Sequence, residues 1–282
     1  MGEAPEALRH QVLHWLSENV PESRLQHILR VEQMAIALAQ KHDQDIVKAA
    51  LAGLMHDLAK YFKPAVLLEM AQQEGLMLDP VDESTPHLLH AHVGAIVARE
   101  QFGVQDPEIL AAIADHTLGR PGMSPLSCIV FLADSLEPGR GNIAELNVLR
   151  HACRQNLQQA VWMVCDYSLK QLMESRRLIH PRVILTRNWF LHQQGTARGH
   201  KGSARTTGKT VIGQVQKRLS PSHLSPSHLS PPHLAPPHLQ PDVPIPESKL
   251  TLLSPEGSPT SMPSLDRANP LSWGESDRLG RA

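Results

Sequence analysis

A histidine and an aspartate stand side by side, His56-Asp57, inside the apolar run Ala52-Gly53-Leu54-Met55-His56-Asp57-Leu58-Ala59-Lys60. Burying an imidazole and a carboxylate costs several kcal/mol unless each finds a partner. A divalent metal suits both at once, because imidazole nitrogen and carboxylate oxygen are common ligands of first-row ions. A hydrogen-bonded polar pair in a helix is the plain alternative, and the dipeptide alone does not separate the two. Any fold open to this chain must bring further polar groups to this point.

The apolar spacing is helical along most of the first two thirds of the chain. Residues 4–18 repeat through Leu8, Val12, Leu13 and Leu16 and stop before Pro21. A second helix is expected from Ser23, which can cap it, to His42; Val31, Met34, Ala35 and Leu38 form its inner stripe. At about 100° per residue His27 falls on that stripe. The third helix is expected over about 45–60, with the small residues Ala49, Ala52 and Gly53 on the His56 side, where another helix can approach closely. Pro64 opens a short helix that Gly75 ends, and an irregular linker is expected through Asp79-Pro80 and Thr85-Pro86.

Three histidines then fall within six residues, His87, His90 and His92. His90 aligns with Val93, Gly94 and Val97 on the inner stripe of a helix reaching Phe102, so it is the chosen ligand, with His87 and His92 as alternatives. A helix from Pro107 to about Thr117 turns His116 inward beside Ile109, Ala112 and Ile113. Another, from Pro125 to Leu136, is apolar through Leu126, Ile129, Val130, Phe131 and Ala133 and then presents Asp134. Four inward histidines and two carboxylates on five helices are hard to satisfy as separate core hydrogen bonds. One or two metal ions would satisfy them together.

Four cations stand near this set. Lys60 lies one turn beyond His56 and can reach an anion, or merely complement a helix C-terminus. Arg120, in Gly119-Arg120-Pro121-Gly122-Met123, can fork onto phosphate or sit on an ordinary turn. Arg24 lies near His27, and Arg140, in Glu137-Pro138-Gly139-Arg140-Gly141, is a further arginine that could face phosphate. The pattern of a P-loop is absent. From Ile143 to about Leu191 the spacing stays helical without metal-ligand spacing, and reads as scaffold covering the site. No β-branched run bounded by turns competes, so the fold class is all-α.

Composition divides the chain into an all-α domain over residues 1–194 and a low-complexity tail, rich in Pro, Ser and His and expected to be disordered, over 195–282. Within the tail Ser220-Pro221-Ser222-His223-Leu224 is followed by three further five-residue copies ending at Leu239. Residues 1–174 hold 13 Lys+Arg against 22 Asp+Glu, whereas residues 175–241 hold 10 against none. The acidic body argues against nucleic acid as a partner of the folded domain, and no partner is assigned to the tail. Cys128, Cys153 and Cys165 include no C-x-x-C and read as buried apolar residues. No leader or uninterrupted apolar span is evident, so a cytoplasmic protein with no membrane partner is expected.

Taken together, His27, His56-Asp57, His90, His116 and Asp134 resemble the ligand order of an HD-superfamily metal-dependent phosphohydrolase. The words Arg24-x-x-His27, Met55-His56-Asp57-x-Ala59-Lys60, Ala91-x-Val93-Gly94, His116-Thr117-x-Gly119-Arg120-Pro121-Gly122-Met123 and Ala133-Asp134-x-x-Glu137-Pro138 are similar to one branch, the YqeK-like symmetrical bis(5'-nucleosyl)-tetraphosphatases, or diadenosine tetraphosphate hydrolases. The resemblance spans about Leu25 to Leu191. It implies an all-α HD-domain helical bundle that cleaves a small dinucleotide, diadenosine tetraphosphate, into two ADP. It also implies a divalent centre, iron first, with Mn, Co, Ni and Zn compatible. By position, His27, His56, Asp57 and Asp134 would hold a first metal and His90 and His116 a second, bridged by Asp57. Lys60 and Arg120 would join Asp57 in catalysis, and Arg24, Lys60 and Arg120 would bind substrate. Rival readings are an HD phosphohydrolase of mononucleotides, (p)ppGpp or cyclic dinucleotides, and a non-catalytic nucleotide-binding protein with a structural metal cluster.

Overall fold

The structure, a computed structural model, describes residues 3–201; the tail repeats lie outside the described residues. Among the described residues there are helices and no strand. α1 (Glu3–Asn19) leads through Pro21 into α2 (Glu22–Lys41), and here the structure corrects one expectation. Pro21, extended and with its φ already near helical, occupies the N-cap, so Ser23 lies inside the first turn and makes no cap. α3 (Ile46–Met55) is capped by Asp45, whose carboxylate accepts from the N–H groups of Val47 and Lys48.

α3 stops at Met55, five residues short of the expected Lys60. Beyond it the backbone closes i to i+3 turns, Lys60 N–H to the Asp57 carbonyl and Phe62 N–H to the Ala59 carbonyl. The reason is local: the His56 ring takes the Gly53 carbonyl that the α ladder would have used at Asp57. α4 (Pro64–Gln73) follows. The supposed linker after it is ordered as α5 (Pro80–Ser84) and a 3-10 turn, Pro86–Leu89. The Asp79 side chain caps α5, and Asp82 returns a bond to the Asp79 N–H, a capping box that Pro80 at the first position favours. α6 (His90–Phe102), α7 (Pro107–Asp115), α8 (Pro125–Leu136), a 3-10 turn Pro138–Arg140, α9 (Ala144–Gln155), α10 (Leu157–Glu174) and α11 (Pro181–Lys201) complete the described chain. α7 ends two residues before the expected Thr117, for the reason seen at His56: the His116 ring takes the Ile113 carbonyl.

α8 is the central element, with ten of its twelve residues buried, as suits a helix apolar on nearly every side. α2, α7, α9 and α10 pack around it, while α3 lies against α2 and α7. Two glycines set the closest approaches. A Cβ on Gly53 would lie 3.2 Å from both Ala35 Cβ and Glu32 Cα, so α2 and α3 touch backbone to backbone. A Cβ on Gly94 would lie 3.3 Å from the His56 carbonyl oxygen, which seats α6 on the turn after α3. Arg9 forks onto the buried Glu32 at 2.7 and 2.9 Å and ties α1 to α2.

This close seam is what brings His27 of α2 beside His56, so widening it should disturb both fold and site. Gly53→Val should lower stability by about 1–3 kcal/mol, the usual cost of overpacking a tight contact. Urea unfolding monitored by circular dichroism measures it, and an unchanged midpoint would show that the seam has slack.

Candidate metal centre

Six side chains from five elements meet at one buried point. α2 supplies His27, the turn after α3 supplies His56 and Asp57, the first residue of α6 is His90, the residue after α7 is His116, and α8 supplies Asp134. The four histidines and Asp57 are buried and Asp134 is nearly so. Every ring is oriented through its Nδ1. His56 donates from Nδ1 to the Gly53 carbonyl at 2.7 Å, His116 to the Ile113 carbonyl at 2.7 Å, and His90 to the His87 carbonyl. Each of these acceptors lies three residues earlier, where a helical segment ends or turns, and the His90 and His116 N–H groups reach the same carbonyls as their rings. His27 instead donates to the buried carboxylate of Glu137, at 3.0 Å.

With Nδ1 protonated in all four rings, the four Nε2 lone pairs face the carboxylates. Asp57 Oδ2 is 3.3 Å from His56 Nε2 and 3.9 Å from His27 Nε2, whereas Asp57 Oδ1 is 3.2 Å from His90 Nε2 and 3.7 Å from His116 Nε2. Asp134 Oδ1 lies 3.1 Å from His27 Nε2 and 3.8 Å from His56 Nε2. The two oxygens of Asp57 therefore address two compartments, one walled by His27, His56 and Asp134, the other by His90 and His116. The donor set fits a divalent cation. His56 Nε2 is buried and has no hydrogen-bond partner among the described residues. The Nε2 atoms of His90 and His116 are 3.0 Å apart, lone pair facing lone pair, with the single Thr117 hydroxyl proton shared between them at 3.2 and 3.0 Å. Lone pairs so crowded in a buried space require a cation.

Fixed charges surround the cluster. Arg24 Nη1 donates to Asp57 Oδ2 at 3.2 Å, Arg140 donates to the Asp134 carboxylate, and Lys60 Nζ stands 3.3 Å from His90 Nε2. Burial, then the Lys60 ammonium, pushes His90 down to about 3. Burial would raise Asp57, but its close polar neighbours His56 and His116 and the Lys60 ammonium outweigh it and hold its carboxyl well below the usual range. Burial also lowers Lys60, against the pull of Asp57 and Asp134. Of the other histidines, His87 is exposed and offers only its carbonyl, and His92 Nε2 faces Arg182 Nη1 at 3.0 Å, away from the cluster. Arg120 is not brought into the cluster: its guanidinium pairs with Asp115 at 3.1 Å and its side chain is 47% exposed. The glycine before it answers to packing, since Gly119 has φ +62° and a Cβ there would lie 2.7 Å from Thr186 Cγ2.

The model of the HD domain family matches residues 24–139, a span that holds all six cluster residues. A protein of Bacillus subtilis named symmetrical bis(5'-nucleosyl)-tetraphosphatase is 32% identical over 183 residues, which are 65% of this chain and 97% of that protein. Its namesake from Halalkalibacterium halodurans is 34% identical over 191 residues, 66% of this chain and 98% of the relative. The chain belongs to the symmetrical bis(5'-nucleosyl)-tetraphosphatase family of HD-domain proteins. A crystal structure of an HD superfamily hydrolase from Clostridium acetobutylicum, described as involved in NAD metabolism, superposes with a TM-score of 0.63 at 34% identity, covering 66% of this chain and 97% of that one.

Membership in this family implies a divalent metal, which the clustered histidines and carboxylates could hold, and the geometry draws attention to supporting residues that the sequence reading did not single out. Glu137 accepts from His27, from Arg30 Nε at 2.6 Å and from the Gly139 N–H. Opposing charges and bonds overcome its burial and hold it down at about 2. The signal was present in Glu137-Pro138-Gly139: a Cβ on Gly139 would lie 2.5 Å from Arg30 Nη2, so only glycine leaves room for that arginine. Beside the cluster a cavity of about 230 Å³ is lined by His116 and Asp134, by the apolar Leu88, Phe131 and Leu172, and by Arg176 and Arg177. The stretch read as scaffold thus also lines the site. Its two walls are pinned by the buried pair His180 Nε2 and Asp82 Oδ2, 3.2 Å apart; His180 Nδ1 accepts the Arg182 N–H, so Nε2 carries the proton that Asp82 receives.

Glu137→Gln should weaken metal binding about 10–100-fold, the usual effect of removing a carboxylate behind a ligating histidine. Competition against a metal indicator reads this directly, and equal affinity would remove Glu137 from the centre. Asp82→Asn should raise KM severalfold while leaving kcat within about twofold, because it loosens a wall and touches no reacting group; a fall in kcat alone would contradict the pinning role.

Proposed function

We propose that this chain is a metal-dependent hydrolase that cleaves diadenosine tetraphosphate symmetrically into two ADP. The observation that carries the reading is the two-sided carboxylate of Asp57, with imidazoles on each oxygen and Arg24, Lys60 and Arg140 close behind. The names of the relatives supply the substrate. His27, His56, Asp57 and Asp134 would hold one divalent ion, and His90 and His116 a second, with Asp57 between them. Such a centre, when bound, lowers the pKa of water from about 15.7 toward about 7 and offsets phosphate charge, so no protein nucleophile is needed. Iron is our first choice; Mn, Co, Ni and Zn share the same preference for nitrogen and oxygen.

Phosphoryl transfer asks of the protein chiefly positioning and charge neutralisation. Lys60 beside His90, and Arg24 and Arg140 on the Asp57 and Asp134 carboxylates, would supply that neutralisation. The lining of the adjoining cavity combines apolar side chains that suit a nucleoside with Arg176 and Arg177, which suit phosphate oxygens. Arg120 could serve as a clamp only by leaving Asp115. Such chemistry suits a cytoplasmic enzyme, and no helix among the described residues is long and apolar enough to cross a membrane. The catalytic unit is proposed to be residues 1–194, although α11 itself continues to Lys201.

Incubation of the Mn- or Fe-loaded protein with diadenosine tetraphosphate should give ADP alone. ATP with AMP, or turnover of mononucleotides only, would overturn the substrate reading. Within the same assay Lys60→Ala should lose about 10²–10³-fold in kcat, as when a charge-stabilising donor is removed, whereas Arg120→Ala should stay within about twofold, as expected of a surface pair. The reverse order would restore the arginine loop as the phosphate clamp.

A further inference from the structure

We infer that the groove between α2 and α9 is a second binding site, for a nucleotide, separate from the metal centre. It has a volume of about 460 Å³ and is lined by Arg30, Met34, Lys41, Leu136, Arg150 and Arg154 among others, with no carboxylate in its lining. Four cations on an otherwise acidic body mark it out, since residues 1–174 carry 22 acidic against 13 basic side chains. Three of the four charges are unmatched by an anion. Arg150 donates only to the carbonyls of Leu136 and Glu137 and to the Asn147 amide oxygen. Lys41 and Arg154 make no ion pair among the described residues.

The occupant follows from the surface. Arginine forks and a lysine select phosphate oxygens. Met34, Leu38, Leu136 and Pro138 give the groove an apolar floor that suits a flat base and would be wasted on a bare anion. The groove also touches the metal centre through one chain of contacts: Arg30 Nε to Glu137 at 2.6 Å, then Glu137 to His27 Nδ1 at 3.0 Å. A phosphate in the groove draws the half-exposed Arg30 from Glu137, which leaves that carboxylate to strengthen its bond to His27. A more basic His27 holds metal longer. The site thereby senses nucleotide and reports it to the centre.

The test is calorimetric titration of the full-length, Mn-loaded protein with ADP, compared with Lys41→Glu/Arg154→Glu and with Asp57→Ala. Both groove residues are exposed, so the double variant should keep its fold, with a small fall in melting temperature because each reversal sits in the last turn of its helix. The inference requires one binding event that the double charge reversal removes and Asp57→Ala leaves intact. This result is independent of the substrate proposed above, because a failure of that reading would remove only the Asp57-dependent event. ADP binding that the double variant leaves unchanged would overturn the inference. So would pyrophosphate competing as tightly as ADP, which would deny any role to the floor, or a dimer in sedimentation that the double variant splits without an effect on ADP, which would make the groove a self-contact. ADP should also slow metal loss to a chelator about threefold more in the wild type than in the double variant; equal slowing would sever the groove from the centre.

Discussion

Four imidazoles aim their Nε2 atoms into one buried space, and each is fixed there by a bond from its Nδ1 to an acceptor that cannot move. For His56, His90 and His116 the acceptor is a main-chain carbonyl three residues earlier, at the end of a helical segment. This arrangement costs little locally, since a helix end has carbonyls to spare. It dictates the helix lengths: α3 stops at Met55 and α7 at Asp115 because the next side chain takes the carbonyl that would have continued the ladder. The price of the cluster is electrostatic, and a divalent cation between the lone pairs and the carboxylates of Asp57 and Asp134 would offset it.

The helical class, the apolar character of α8 and the identity of the inward groups were legible in the chain because periodicity reports burial directly. His27 on the stripe of Val31 and Leu38, and His116 on that of Ile109 and Ile113, could be read without tertiary knowledge. The helix ends could not. Whether a ring or a backbone N–H takes a given carbonyl depends on what the ring faces across the fold, and no period encodes that. The stretch 79–86 was misread as irregular because two prolines suggested a linker, whereas Asp79 and Asp82 cap a short helix between them.

Residues that act across long separations were the hardest to see. Glu137 reaches back more than a hundred positions to His27 and Arg30, and Asp82 nearly as far to His180. Gly139 is the one neighbour that marks Glu137, and nothing adjacent in the chain marks Asp82 as buried. The arginine loop was open between a phosphate fork and an ordinary turn; the structure packs Gly119 against Thr186 and pairs Arg120 with Asp115. The cationic residues that do stand at the cluster, Arg24, Lys60 and Arg140, sit on or just after the elements that carry the ligands. Charge placement here follows the helix ends as closely as the ligands do.

The claim on which the rest turns is that Asp57 divides one buried cluster into two cation compartments. A crystal of the Mn-loaded protein, measured at a wavelength where Mn scatters anomalously, tests it most directly. Two anomalous peaks should appear about 3.5–4 Å apart, the spacing of paired catalytic ions, one against His27, His56 and Asp134 and the other against His90 and His116, with one Asp57 oxygen on each. A peak that leaves Asp57 uncoordinated, or Mn bound elsewhere on the chain, would contradict it.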